Sequence, residues 1–294
     1  MDVIHLDKQY IISGCELKKA QMDSFVFKSK DGFIIKTFNK KLIEKSSKSG
    51  IDLESKILYT PDMICSSQIN KPTSILYDCN SEFYGYMCKV VDGEYDTTGQ
   101  YLETLRQSLD IYKMNELYKK IGEIVKKEEQ VVFPDLCNVD NIVIGEGLNI
   151  SLIDYDGMQI GKYRSSSISS NISCPLINTD AKYIRDNLYT KNLDKKSLIF
   201  LYFQIVFNIN LNIFEGCDEK KLEEMIFYIF KILNVEDQSI MNKVWKLFKK
   251  GIDNDYLSDE EIDKIASYFS LEEFPIKSPG SETLYTLRKK YKNN

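Results

Sequence analysis

The largely apolar stretches Phe25 to Lys28 and Phe33 to Phe38 flank Lys30-Asp31-Gly32, a turn signal. The pattern predicts a β-hairpin whose second strand carries Lys36 among apolar neighbours. Ile51 to Tyr59 changes to helical spacing for a turn or two, with Ile51, Leu58 and one of Leu53 or Ile57 facing inward and Thr60-Pro61 as the stop. Ser74 to Tyr77 and Phe83 to Val91 read as two further strands around the polar turn Asp78-Cys79-Asn80-Ser81.

Beyond a polar linker from Asp92 to Gln100, the period lengthens. Leu102, Leu105, Leu109, Tyr112, Met114, Leu117, Ile121 and Ile124 recur at three- and four-residue steps, which predicts a long helix over Tyr101 to Lys127. Ile142 to Ile144 is a short β-branched run and Ile150 to Ile153 a second strand, the two joined through Gly145-Glu146-Gly147 as a second hairpin. From Asp194, placed as an N-cap, an apolar helix runs toward Phe214, and MIFYIFKIL and IMNKVWKLFKK add amphipathic helical mass near the end.

The apolar stretch Leu198 to Phe214 falls short of the roughly 20 residues that span a bilayer, and it contains Gln204, Asn208, Asn210 and Asn212. A buried helix is expected there, with no membrane span. The chain opens MDVIHLDKQY, with no charged-then-apolar export signal, so a cytoplasmic location is expected.

The chain has 294 residues, 43% of them hydrophobic and only six of them proline, enough to bury a full core in one bilobal domain or two small ones. A net charge of −5 argues against a broad nucleic-acid surface, so no nucleic-acid partner is expected, although lysines cluster early in the chain. Seven cysteines, an odd number without any CxxC pair, point to neither a disulfide framework nor a zinc site. The single histidine, His5, excludes Ser-His-Asp, Cys-His and multi-histidine metal chemistry.

Candidate chemistry concentrates in Val131 to Gly157, VVFPDLCNVDNIVIGEGLNISLIDYDG. Asp135 sits in a loop, Asn141 opens the first strand of the second hairpin, and Asp154 ends the second strand. Mg²⁺ takes oxygen ligands and usually only one or two carboxylates from protein, a demand that Asn141 and Asp154 fit. Asp135 is then placed to orient a hydroxyl and accept its proton.

FPDLCNVDN and IDYDG resemble the catalytic and magnesium loops of the protein-kinase-like superfamily, in a form closer to bacterial kinase-like proteins and aminoglycoside phosphotransferases. The resemblance implies an α+β bilobal fold: a small antiparallel-sheet N-lobe over residues 1–90, and a larger, mainly helical C-lobe over 91–294. It implies ATP and Mg²⁺ as cofactors and γ-phosphoryl transfer to a hydroxyl acceptor, a protein or a small molecule, most simply as a Ser/Thr kinase-like enzyme.

By the same resemblance Lys36 holds phosphates, and Glu54 pairs with Lys36, with Glu44 as the competing candidate. Met87 would lie behind the nucleotide, and Cys88 to Val90 would meet the adenine edge with backbone groups. Asp135 is the base, Asn141 and Asp154 hold the metal, and Asp194 bonds the catalytic-loop backbone.

The chain departs from the pattern in several places. Only Gly14 remains of the phosphate-covering glycines, Phe133-Pro134 replaces His-Arg, and Asp156 replaces the glycine that follows the metal-binding dipeptide. Asp135 precedes Asn141 by six positions, one more than the pattern, which makes Asp140 a rival to Asn141. A pseudokinase serving as a nucleotide-binding or scaffolding module, and a small-molecule phosphotransferase, are the alternative functions. RSSSISSNIS, Arg164 to Ser173, reads as a flexible polar loop at which autophosphorylation is conceivable.

Overall fold

The computed structural model describes residues 1–6, 11, 14–20, 23–91, 111–166, 183–206, 220, 223–224, 226–228, 237–252 and 255–268. The chain divides into two compact units, the first made of Met1–Thr98, Lys127–Val132 and Asp140–Ile168, the second of Gly99–Lys126, Phe133–Val139 and Ser169–Asn294.

The first unit is built on a six-stranded sheet of β1 (Asp2–His5), β2 (Glu16–Ala20), β3 (Ser24–Lys28), β4 (Phe33–Phe38), β5 (Pro72–Tyr77) and β6 (Phe83–Lys89) in the order β1-β5-β6-β4-β3-β2. The β3-β4 hairpin forms as its turn residues predict, with Gly32 at φ 80, in the left-handed region that glycine enters without steric cost. The expected antiparallel sheet is mixed instead, because the edge strand β1 lies parallel to β5, pairing Asp2 with Ser74 through His5 with Tyr77. Parallel neighbours require a long crossover, and here β2, β3, β4 and helical segments intervene in sequence.

Strand periodicity divides the sheet's residues between two faces. Ile35, Phe27, Leu76 and Tyr84 join Ile11 in a buried cluster, whereas Lys36 is in register with Tyr86 across the β4-β6 ladder. Helix α1 (Lys40–Lys48) follows β4 and is capped by Asn39, whose side chain accepts from Leu42 N at 2.8 Å. Helix α2 (Leu53–Tyr59) is capped by Asp52 through Ser55 N at 2.9 Å. Its buried stripe is Leu53, Lys56 and Ile57, with Leu58 only half-buried, so both apolar alternatives face inward and a lysine joins them.

The hairpin of β8 (Ile142–Ile144) and β9 (Ile150–Leu152) clusters with this first unit. Its expected place, by sequence, is with the helical residues after 90. Main-chain bonding explains the difference: Leu152 N donates to Gln68 O at 2.8 Å and Asn70 N to Leu152 O at 2.9 Å, which stitches β9 onto the segment before β5. β7 (Val131–Val132) and β10 (Gln159–Ile160) form a further antiparallel pair in the same unit.

In the second unit, α3 (Ile111–Lys127) carries the predicted stripe of Met114, Leu117, Ile121 and Ile124, all buried. The part of that expectation over 101–110 lies outside the described residues. β11 (Ile184–Arg185) and β12 (Leu188–Tyr189) meet at Asp186-Asn187, both at positive φ, the backbone of a tight hairpin turn.

Helix α4 (Lys191–Ile205) starts three residues before Asp194, so Asp194 is a first-turn residue and not the cap. α5 (Gln238–Ile252) buries Met241, Val244, Trp245 and Phe248 at helical spacing, and α6 (Asp259–Ser267) opens with a Ser258/Glu261 capping box. Tyr202 of α4 stacks edge-on with Tyr118 of α3 at 4.9 Å and donates to Asn115 Oδ1 at 2.8 Å, fixing those helices together. No helix among the described residues is long and apolar enough to cross a membrane.

Candidate functional site

Lys36 sits at the middle of β4, itself flanked by β3 and β6, so its backbone is fixed on both sides. Its side chain leaves the sheet beside Tyr86 and reaches two carboxylates from a loop more than a hundred residues away. Nζ donates to Asp154 Oδ1, and to Asp156 Oδ1 at 2.6 Å.

Both acids belong to the turn after β9. Asp154 adopts φ 66 and ψ 54, a left-handed conformation that Asp tolerates better than most residues. A 3-10 turn over Tyr155–Gly157 follows, with Gly157 N donating to Asp154 O at 2.9 Å. This reversal turns two acids, two positions apart, toward the same ammonium. Strained backbone retained beside a charged cluster is a recognised mark of a functional loop.

Asp156 is the more enclosed of the two, with 5% of its side chain exposed against 25% for Asp154. Besides Lys36, it accepts from Tyr86 Oη at 2.9 Å and from Ser166 Oγ at 3.0 Å. Burial by itself would raise the Asp156 carboxyl, but the charge and hydrogen bond of Lys36 outweigh it and hold the group below its ordinary value. For Lys36 burial works the other way, lowering its pKa, and the two aspartates more than reverse it, so the ammonium form is secured.

Behind the loop lies Lys56, which the sequence does not single out. It is fully buried on the inner stripe of α2 and donates to three backbone carbonyls: Asp156 O at 2.7 Å, Arg164 O at 3.1 Å and Met158 O. Burial pushes Lys56 down to about 7, against the opposing charges of Asp156 and Asp154. The three carbonyls match the three N–H donors of an ammonium. Tyr155, also fully buried, shares a hydrogen bond of 2.6 Å with Thr60 at the end of α2. A helical reading anchored on Leu53 would have placed Lys56 in the core stripe, where an unexplained lysine is itself a signal.

Glu54 takes a different partner from the one expected. Its carboxylate accepts from Tyr77 Oη at 2.7 Å, and it lines a groove of about 610 Å³ together with Glu44. On a helix, positions 54 and 56 are two apart and face different ways, so α2 can offer the loop Lys56 or Glu54 but not both. The pair expected between Glu54 and Lys36 is therefore replaced by the Lys36 contacts to Asp154 and Asp156.

Asn141 directly precedes β8, and its carbonyl accepts from Ile153 N at 2.9 Å, which sets it opposite the residue before Asp154. Asp140 is more exposed and pairs with Lys19 at 3.7 Å. Among the described residues no three His, Cys, Asp or Glu side chains gather for a metal. An amide oxygen with one carboxylate still suits Mg²⁺, which keeps several waters and dehydrates reluctantly.

Asp135 lies in the second unit, in a turn closed by Asn138 N to Asp135 O at 3.1 Å and Asn138 Nδ2 to Asp135 Oδ2 at 3.2 Å. Asp194, fully buried, accepts from Phe133 N at 2.8 Å and from Lys191 Nζ at 2.5 Å, so it does hold the start of this loop by its backbone. Met87 and Cys88 pair with both β4 and β5, and Val90 N donates to Gly32 O at 2.9 Å. Met87 and Cys88 thus lie in an interior strand, and Val90 lies just past its end.

No protein-family model matches the chain, and no curated protein matches it.

Proposed function

We propose that the protein is a phosphotransferase that binds ATP with Mg²⁺ and moves the γ-phosphoryl group to a hydroxyl. The observation that carries this reading is the meeting of Lys36 with Asp154: a lysine from an interior strand against an aspartate just past the end of a hairpin whose other strand Asn141 directly precedes. A lysine and an acid held at one place can divide the work of a nucleotide site, the ammonium taking phosphate oxygens and the acid taking the metal. Asn141 and Asp154 would hold Mg²⁺, which when bound neutralises phosphate charge. Asp135 would orient the acceptor hydroxyl and take its proton, and Asp194 supports the backbone of its loop.

The double anchoring of Lys36 also supports a non-catalytic nucleotide-binding or scaffolding role, since the ammonium must release at least one carboxylate to meet a phosphate. Incubation with γ-labelled ATP and Mg²⁺, alone and with a cell extract, separates the readings. The enzyme places label on itself, on a protein or on a small molecule, and Asp154→Ala loses it. Nucleotide binding with no label anywhere would establish the scaffold.

A further inference from the structure

The two charged residues that α2 carries, Glu54 and Lys56, have partners opposite to those that the resemblance implies. Glu54 turns to Tyr77, while Lys56 enters the core and binds carbonyls of the loop. Lys36 needs an acid to orient it, and the enclosed carboxylate beside it is Asp156, at 2.6 Å.

We propose that Asp156 is the positioning residue that orients Lys36 in place of a helix glutamate, and that Lys56 anchors the loop that carries Asp156. The proposal rests on the phosphotransferase reading for its function, although its geometry stands without it.

Three observations support the division of labour. Asp156 is fixed from several sides, by Tyr86 Oη at 2.9 Å, by Ser166 Oγ at 3.0 Å, and at its own carbonyl by Lys56 at 2.7 Å and Ser166 N at 2.9 Å. A carboxylate held this way can direct a flexible lysine, whereas Asp154, 25% exposed, is the less enclosed of the two acids. Tyr86 pairs with Lys36 in the β4-β6 register, so the strand itself brings the lysine and a second donor to the same acid. Lys56 then transmits the position of α2 to the loop: a shift of the helix moves the carbonyls of Asp156, Met158 and Arg164 together.

The acylation rate of Lys36 tests the pairing without any nucleotide. Brief labelling with acetic anhydride at neutral pH, read peptide by peptide by mass spectrometry against Lys71 in the same molecule, reports its free-amine fraction, which changes about tenfold for each unit of pKa. Asp156→Asn should raise the Lys36 rate by about tenfold, several times more than Glu54→Gln does, and Asp156→Glu should restore most of the protection. Lys56→Met, which keeps the side-chain volume, should raise it in the same direction by a smaller factor. It serves as the deciding variant if Asp156→Asn fails to fold.

Calorimetry with ATP and Mg²⁺ is the second arm, in which Asp156→Asn should weaken binding by about tenfold, or about 1.4 kcal/mol. A Lys36 rate unmoved by Asp156→Asn, or moved more by Glu54→Gln, overturns the assignment. Failure of the unaltered protein to bind nucleotide would instead remove the phosphotransferase reading and leave the labelling result to decide the Asp156–Lys36 pairing.

Discussion

At the scale of single residues, the site depends on two buried lysines whose surroundings push them in opposite directions. Lys36 is held charged by two carboxylates, whereas Lys56, enclosed among carbonyls, is lowered from 10.5 to about 7. For Lys56 the consequence has a definite sign. Between those two values the unfolded chain keeps a proton that the folded chain has lost, so this residue makes stability rise with pH from about 7 toward 10.5 and adds nothing further below about 7. The slope is at most about 1.4 kcal/mol per pH unit.

Urea unfolding of the protein and of Lys56→Met, compared between pH 7 and about 9, checks this. The difference in stability between the two should climb in favour of the unaltered protein as pH rises. A flat difference would show that the three carbonyls keep the ammonium protonated throughout. The sequence by itself marks neither Lys56 nor Asp156 as functional. Lys56 goes unremarked there, on a short helix whose inward face is counted from Ile51 and Leu58, and Asp156 reads as a glycine lost from the loop.

At the scale of elements, strand register carries most of the placement. The two hairpins and the β5-β6 pair were legible because short apolar runs and turn residues are local signals. β1 was not, since its parallel partner lies far along the chain and nothing in DVIH announces it. The extra residue between Asp135 and Asn141 left Asp140 and Asn141 as rivals. In the folded hairpin, Asn141 follows the β8 register opposite Ile153, while Asp140 faces Lys19 at 3.7 Å. Asn141→Ala should therefore lose about tenfold or more in Mg²⁺-dependent nucleotide affinity, and Asp140→Ala about twofold or less. Titration calorimetry reads both, and the reverse order would mean that the loop is aligned wrongly.

Gly85 shows the same dependence on register. A Cβ there would lie 2.2 Å from the carbonyl oxygen of Lys36, so no side chain fits without moving the strand that bears the lysine. Gly85→Ala is expected to cost about 1–3 kcal/mol, as overpacking does, and to weaken nucleotide binding in parallel. An unfolding midpoint equal to that of the unaltered protein would show that β4 gives way freely.

At the scale of the whole molecule, the sequence anticipated an α+β protein and the structure is a mixed α/β chain with a six-stranded sheet. The division into units differs from a simple cut near residue 90, because β9, paired with β8, is stitched by backbone bonds to Gln68 and Asn70. Such pairings between distant segments have no local signature, and only the fold displays them. Electrostatic convergence is equally non-local: Lys36, Lys56, Tyr86, Asp154 and Asp156 come from four separate stretches of chain, and their meeting is what distinguishes a site from scattered charges.

Isothermal titration of the protein with ATP, with and without Mg²⁺, beside Asp154→Ala, tests the central claim most directly. Binding that tightens with Mg²⁺ is predicted, with the Mg²⁺-dependent part lost in Asp154→Ala while its thermal midpoint stays within a few degrees. At a hundredfold excess over the dissociation constant the ligand should stabilise the protein by about 2.7 kcal/mol. No heat and no stabilisation with any nucleotide, with Mg²⁺ or with Mn²⁺, would contradict the account.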